Sequence, residues 1–125
     1  MNNADILNNR LANAIGIKKI YYEEWDTEHQ SPMFIPSGKP WRTHQIDAMP
    51  VPKFYLSMDS CMKWIWNKIE EKTLYFMDIE ITAHSGIHVA IADINTKKVI
   101  ASAYTDDDLP LAFCLAADKY FTEVK

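Results

Sequence analysis

A chain of 125 residues is large enough to bury one core and too small for two, and its 48% apolar and 24% charged residues lie far from the composition of disordered segments. The formal net charge of −4 argues against a whole-surface attraction to nucleic acid or anionic lipid, leaving room only for a local basic patch. No run approaches the roughly 18 to 20 apolar residues that cross a bilayer, and the start Met1-Asn2-Asn3-Ala4-Asp5 lacks the positive charge and apolar stretch of a signal peptide, so one domain located in the cytoplasm is the expectation.

In chain order, Leu7, Leu11, Ala14 and Ile15 recur at helical spacing, with Asn3 or Asp5 available as a cap and Gly16 as the stop. This predicts an N-terminal helix within residues 1–16, Ala4 to Ile15, with polar Asn8, Asn9, Arg10 and Asn13 largely on its other side. Ile17 to Trp25 is rich in β-formers and reads as an edge strand or an extended connector. From Asp26 to Lys53 the periodicity disappears, and Pro32, Pro36, Pro40, Pro50 and Pro52 forbid a long helix or a central strand. Phe34, Trp41, Ile46 and Val51 are too apolar for a freely solvated tether. The segment is expected to be either pinned to the core by its aromatics or used to bind a partner.

Order returns at Ser57, a cap for a helix running to about Lys72, with Met58, Cys61, Met62, Ile65 and Ile69 on one face and Trp64 and Trp66 widening it. Thr73 to Ala83 then alternates, placing Tyr75, Met77, Ile79 and Ile81 on one side and Asp78, Glu80 and Thr82 on the other. His84-Ser85-Gly86 reads as a tight turn into a central strand, Ile87 to Asp93, and Asn95 to Lys98 as a second turn into Val99 to Tyr104. Asp106, Asp107 and Asp108 precede Leu109-Pro110, so acids meet the positive end of a last helix from Leu109 to about Thr122. The fold expected is α+β, within the broad α/β class. Its core, residues 57–125, is helix–β–β–β–helix: an antiparallel three-stranded meander packed by helices, both long helices lying on it. The N-terminal helix and the long Pro-rich loop, residues 26–53, complete the chain.

Few residues point to chemistry. His84 and His88 straddle a turn and so lack the i, i+4 convergence of a zinc helix; Asp78, Glu80 and His88 could share the polar face of the sheet. Cys61 and Cys114 have no metal-ligand spacing and are expected to be buried free thiols. A GxSxG elbow, a phosphate-cradling GxxxxGK[ST] loop and a GxGxxG motif are all missing from the sequence, and no cofactor is implied. The element order is shared with double-stranded-RNA-binding domains, which dock phosphates on a lysine-rich start to their last helix. Here that place holds Asp106 to Asp108, which would repel a phosphate backbone.

Two stretches carry a resemblance. Leu7 to Ile17 (LNNRLANAIGI), and the block from Tyr55 through the meander to the closing LPLAFCLAA of Leu109 to Ala117, resemble the phage ABA sandwich domain family of small phage and prophage proteins. The matching parts cover about two thirds of the chain, and Asp26 to Lys53 falls outside them. The resemblance implies a sheet with helices packed on it and a phage or prophage origin. It implies no established activity and no catalytic residues.

Together these readings favour a non-enzymatic accessory protein that binds a host or phage protein, host-defence inhibition being one version. A small nucleotide-signal binder or hydrolase is the rival, with Trp25, Trp41, Arg42 and His44 as a pocket wall; a phage structural or assembly component is the third reading. Trp25, Phe34, Trp41, Arg42 and His44 are the candidate binding residues, a homodimer is an open state, and neither double-stranded nucleic acid nor a membrane is an expected partner.

Overall fold

The computed structural model describes residues 3–17, 33–36, 43, 46, 49–70, 75–83 and 86–123. The chain divides into two compact units, Met1–Leu11 together with Lys53–Lys125, and Ala12–Pro52.

Helix α1, Asn3–Ala14, runs from the first unit into the second. Asn3 and Asp5, read from sequence as candidate caps, both lie inside it. Its end is a Schellman motif: Ile17 N–H donates to the Ala12 carbonyl at 3.0 Å and Gly16 N–H to the Asn13 carbonyl at 3.1 Å. Gly16 supplies the left-handed φ of 86° this closure needs. Leu7, Leu11 and Ile15 are buried, as their spacing predicts, while Ala14 of the same set is half-buried and Ala12 is buried in addition. Asn8, expected on the polar side, is instead buried. Its Oδ1 accepts the Phe54 N–H at 2.7 Å, which satisfies a backbone donor that the 3₁₀ turn Phe54–Leu56 would otherwise strand. Tyr55, in the same turn, donates its hydroxyl to Asp5 at 3.0 Å, and partial burial, with that carboxylate beside it, pushes the phenol pKa up.

In the second unit, the Pro-rich segment contributes a minimal antiparallel pair, β1 (Met33–Phe34) and β2 (Met49–Pro50), with Met33 opposite Pro50 and Phe34 opposite Met49. Among the described residues each strand has two residues, with Pro36 and Pro52 two positions beyond their ends. Phe34, Ile35 and Val51 are buried, but Ile46 is 95% exposed, so apolar character alone did not decide which of these side chains is anchored.

Helix α2 covers residues 58–70 in three pieces, Met58–Ser60, a π-helical Cys61–Trp66, and Asn67–Glu70. Ser57 caps it as expected, its hydroxyl accepting the Ser60 N–H at 3.2 Å. Cys61, Ile65 and Ile69 are buried along the face their spacing predicts, and Trp66, at the end of the π segment, is buried beside them. Met62, assigned to the same face at α-helical spacing, is 41% exposed.

The sheet is the expected antiparallel meander, β3 (Tyr75–Thr82), β4 (Gly86–Asp93) and β5 (Val99–Thr105), with β4 central. Its second turn is held by Asp93, whose Oδ1 accepts the N–H groups of Asn95 (2.8 Å) and Thr96 (3.0 Å). These two donors hold its carboxyl below the usual aspartate range. At the opposite end, Gly86 has φ 82°, and a Cβ there would lie 2.5 Å from the Thr105 carbonyl oxygen, so both conformation and space require glycine.

Helix α3, Leu109–Glu123, lies along β4 and β5. Asp108 caps it: its Oδ1 accepts the Leu111 N–H at 3.1 Å, while Thr105 Oγ1 accepts the Asp108 N–H at 3.1 Å. Ala112, Phe113, Cys114, Ala116 and Ala117 are fully enclosed, the small residues letting the helix sit close to Val89, Ile91, Ala101 and Ala103 on the sheet. The sequence reading laid both long helices on the meander. Here α3 packs along β4 and β5, and α2 meets α3, where Trp66 lies edge-on to Phe113 at 6.4 Å.

Candidate functional site

Directly opposite residues in an antiparallel ladder point to the same side, so the register sorts the sheet into two faces. Tyr75, Met77, Ile79 and Ile81 share a side with Ile87, Val89 and Ile91 of β4 and with Ala101 and Ala103 of β5. This is the side α3 covers, and at the start of β3 Tyr120 meets Tyr75 edge-on at 5.5 Å. Burial, with the Tyr75 hydroxyl as a second cause, pushes Tyr120 up to about 12.

The cover stops there. Every residue from Asp78 to Ala83 is exposed, including Ile79 at 38% and Ile81 at 68%, although the pleat aims both toward the helical side. Among the described residues α3 packs chiefly along β4 and β5, the two strands beside β3 in the sheet order. Among the described residues, β3 has a neighbouring strand on one side only.

On the other face β3 presents Asp78, Glu80 and Thr82, as its alternation predicted, beside the buried Ala90 and Ala92 of β4. Glu80, His88 and Tyr104 form one row across the three strands, and Asp78, Ala90 and Ser102 the next, which brings Asp78, Glu80 and His88 onto one surface. Tyr104 is 51% exposed and donates its hydroxyl to Asp106 at 3.3 Å. Loss of hydration, then the Asp106 charge, push that phenol up. Three acids, Asp78, Glu80 and Asp106, thus stand near one end of the sheet, close to exposed isoleucine and tyrosine. At the opposite end of β3, Lys97 Nζ lies 5.4 Å from the Phe76 ring centre.

Among the described residues no three His, Cys, Asp or Glu side chains converge on one point. Cys61 and Cys114 are free and buried, as expected, with their sulfurs 3.7 Å apart. The hydrogen bond with Cys61, then burial, push the Cys114 thiol up, which keeps it protonated and a poor nucleophile. Asp108, one of the three acids before α3, is occupied as its cap.

Of the residues singled out from sequence, Phe34 lies in β1 with 3% of its surface exposed, so its ring is enclosed. Trp25, Trp41, Arg42 and His44 lie outside the described residues, as do His29 and His84. The residues that sequence reasoning missed are Ile79 and Ile81. Their alternation was plain, but it says which way a side chain points and not whether a helix reaches it. No helix of the described residues is long and apolar enough to cross a membrane. Comparison with family models, with curated proteins and with solved structures finds no match.

Proposed function

We propose that this chain works by binding a protein that carries a basic surface, and that it is not an enzyme. The observation that supports this most is the outer half of β3, where Asp78 and Glu80 stand beside exposed Ile79 and Ile81. Exposed aliphatic side chains cost hydration free energy on the order of 25 cal/mol for each Å² left in water, and a partner that covers them recovers it. The acids steer that partner: with a net charge of −4, the chain attracts basic surfaces over a Debye length and repels nucleic acid and anionic lipid.

A phage or prophage accessory protein in the host cytoplasm, competing for a nucleic-acid-binding surface of a host defence protein, is the biological form of this proposal. It draws on the likeness of LPLAFCLAA and its flanking segments to small phage proteins. The test is capture from bacterial lysate at physiological salt, comparing the native chain with a double variant, Asp78→Lys and Glu80→Lys. A basic protein retained by the native chain and lost by the variant is the expected result. Equal retention by both, or no partner at all, overturns the proposal.

A further inference from the structure

The geometry points to the mode of that binding: we infer that the edge of β3 along Asp78 to Ile81, which has no neighbouring strand among the described residues, takes up an extended segment of alternating basic and aliphatic residues as a fourth strand. The inference rests on the binding proposal above and names the partner's chemistry and its contact.

The backbone supplies the first part of the argument. An edge strand directs alternate N–H and C=O groups outward, and a partner strand can pair with them. In β3 those of Asp78 to Ile81 face no second strand among the described residues, and the side chains around them are exposed on both faces. The side chains supply the second part. Successive residues of an added strand alternate between the two faces. On the polar face they meet Asp78 and Glu80, on the other Ile79 and Ile81. Only a strand that alternates cation and aliphatic satisfies both at once.

The same acids decide against a second copy of this chain. Antiparallel self-pairing centred on Ile79 would set Asp78 directly opposite Glu80 of the other copy, and like charges directly opposed destabilise a ladder. Acids on an edge commonly serve to block aggregation. Here they block self-association while leaving the edge open to a strand of opposite charge.

The probe is a capped heptapeptide of alternating lysine and valine, titrated into the full chain and followed by amide NMR shifts and calorimetry. Shifts centred on Asp78 to Ile81 are expected, as is loss of binding in the double variant Asp78→Lys and Glu80→Lys, whose altered side chains are both exposed and leave the core intact. A block isomer of the same composition, with lysines first and valines last, should bind about tenfold more weakly or worse. Two further peptides carry N-methyl groups on alternate residues, one set on odd and the other on even positions. Strand addition requires that one series loses binding and the other keeps it. If the block isomer binds equally, or both methylated series behave alike, the acids act as a plain charge patch: the strand-addition inference falls while the binding proposal stands. If the peptide fails to bind although a charge-dependent partner is captured from lysate, the inference again falls alone.

Discussion

Along α3, Ala112, Phe113, Cys114, Ala116 and Ala117 are wholly enclosed, whereas along the outer half of β3 Ile79 and Ile81 keep 38% and 68% of their surface in water. Both stretches are apolar on the side that faces the other layer. They differ in what lies opposite: α3 packs along β4 and β5 and meets α2, while among the described residues Ile79 and Ile81 are left open to water. An apolar position therefore contributes to folding only where a second element overlaps it, and one left beyond that overlap is available for another molecule.

The sharpest way to break this comparison is at the enclosed end. Phe113→Ala removes a ring that packs edge-on to Trp66 and has no exposed surface, and should lower stability by about 3–5 kcal/mol. A urea midpoint left near that of the native chain would show that α3 is not the core element described here. A smaller effect is expected where α3 begins. Asp108→Ala frees the Leu111 N–H and should cost about 1 kcal/mol, with Asp108→Asn keeping most of the cap; thermal unfolding of the three proteins side by side measures it. The smallest effect belongs to the exposed strand. Ile81→Thr should change the midpoint by no more than about 0.5 kcal/mol, because threonine keeps the β-branched shape and little burial is lost. A larger loss would mean that the outer half of β3 serves the fold after all.

Much of this architecture was legible in the residues. The alternation from Tyr75 to Thr82, the apolar run of β4 and the turn chemistry around Asp93 specify a meander through local physics, and the Gly16 stop and Ser57 cap rest on single side chains. What was hidden depends on partners distant in sequence. Asn8 is buried because Phe54, far along the chain, needs an acceptor, and no periodicity within α1 reports that need. The π turn in α2 leaves no compositional mark, so the outward swing of Met62 and the seat of α2 on α3 could not be read beforehand. For the candidate site, the acids and isoleucines of β3 were placed on their correct faces. Their exposure was not visible, because it depends on which strands a helix distant in sequence covers.

The widened turn at Cys61–Trp66 has one more implication. A π segment is how a helix accommodates a residue more than its regular pitch needs, with the flanking turns left in phase. Removing one residue inside that segment should restore the ordinary pitch and leave Ile69 facing inward. The same removal after Trp66 would turn Ile69 by about 100° and bring it out into water. This stretch is thus the one place in α2 where the chain can lose a residue without losing its alignment, an allowance of length set beside a core that permits little change of shape.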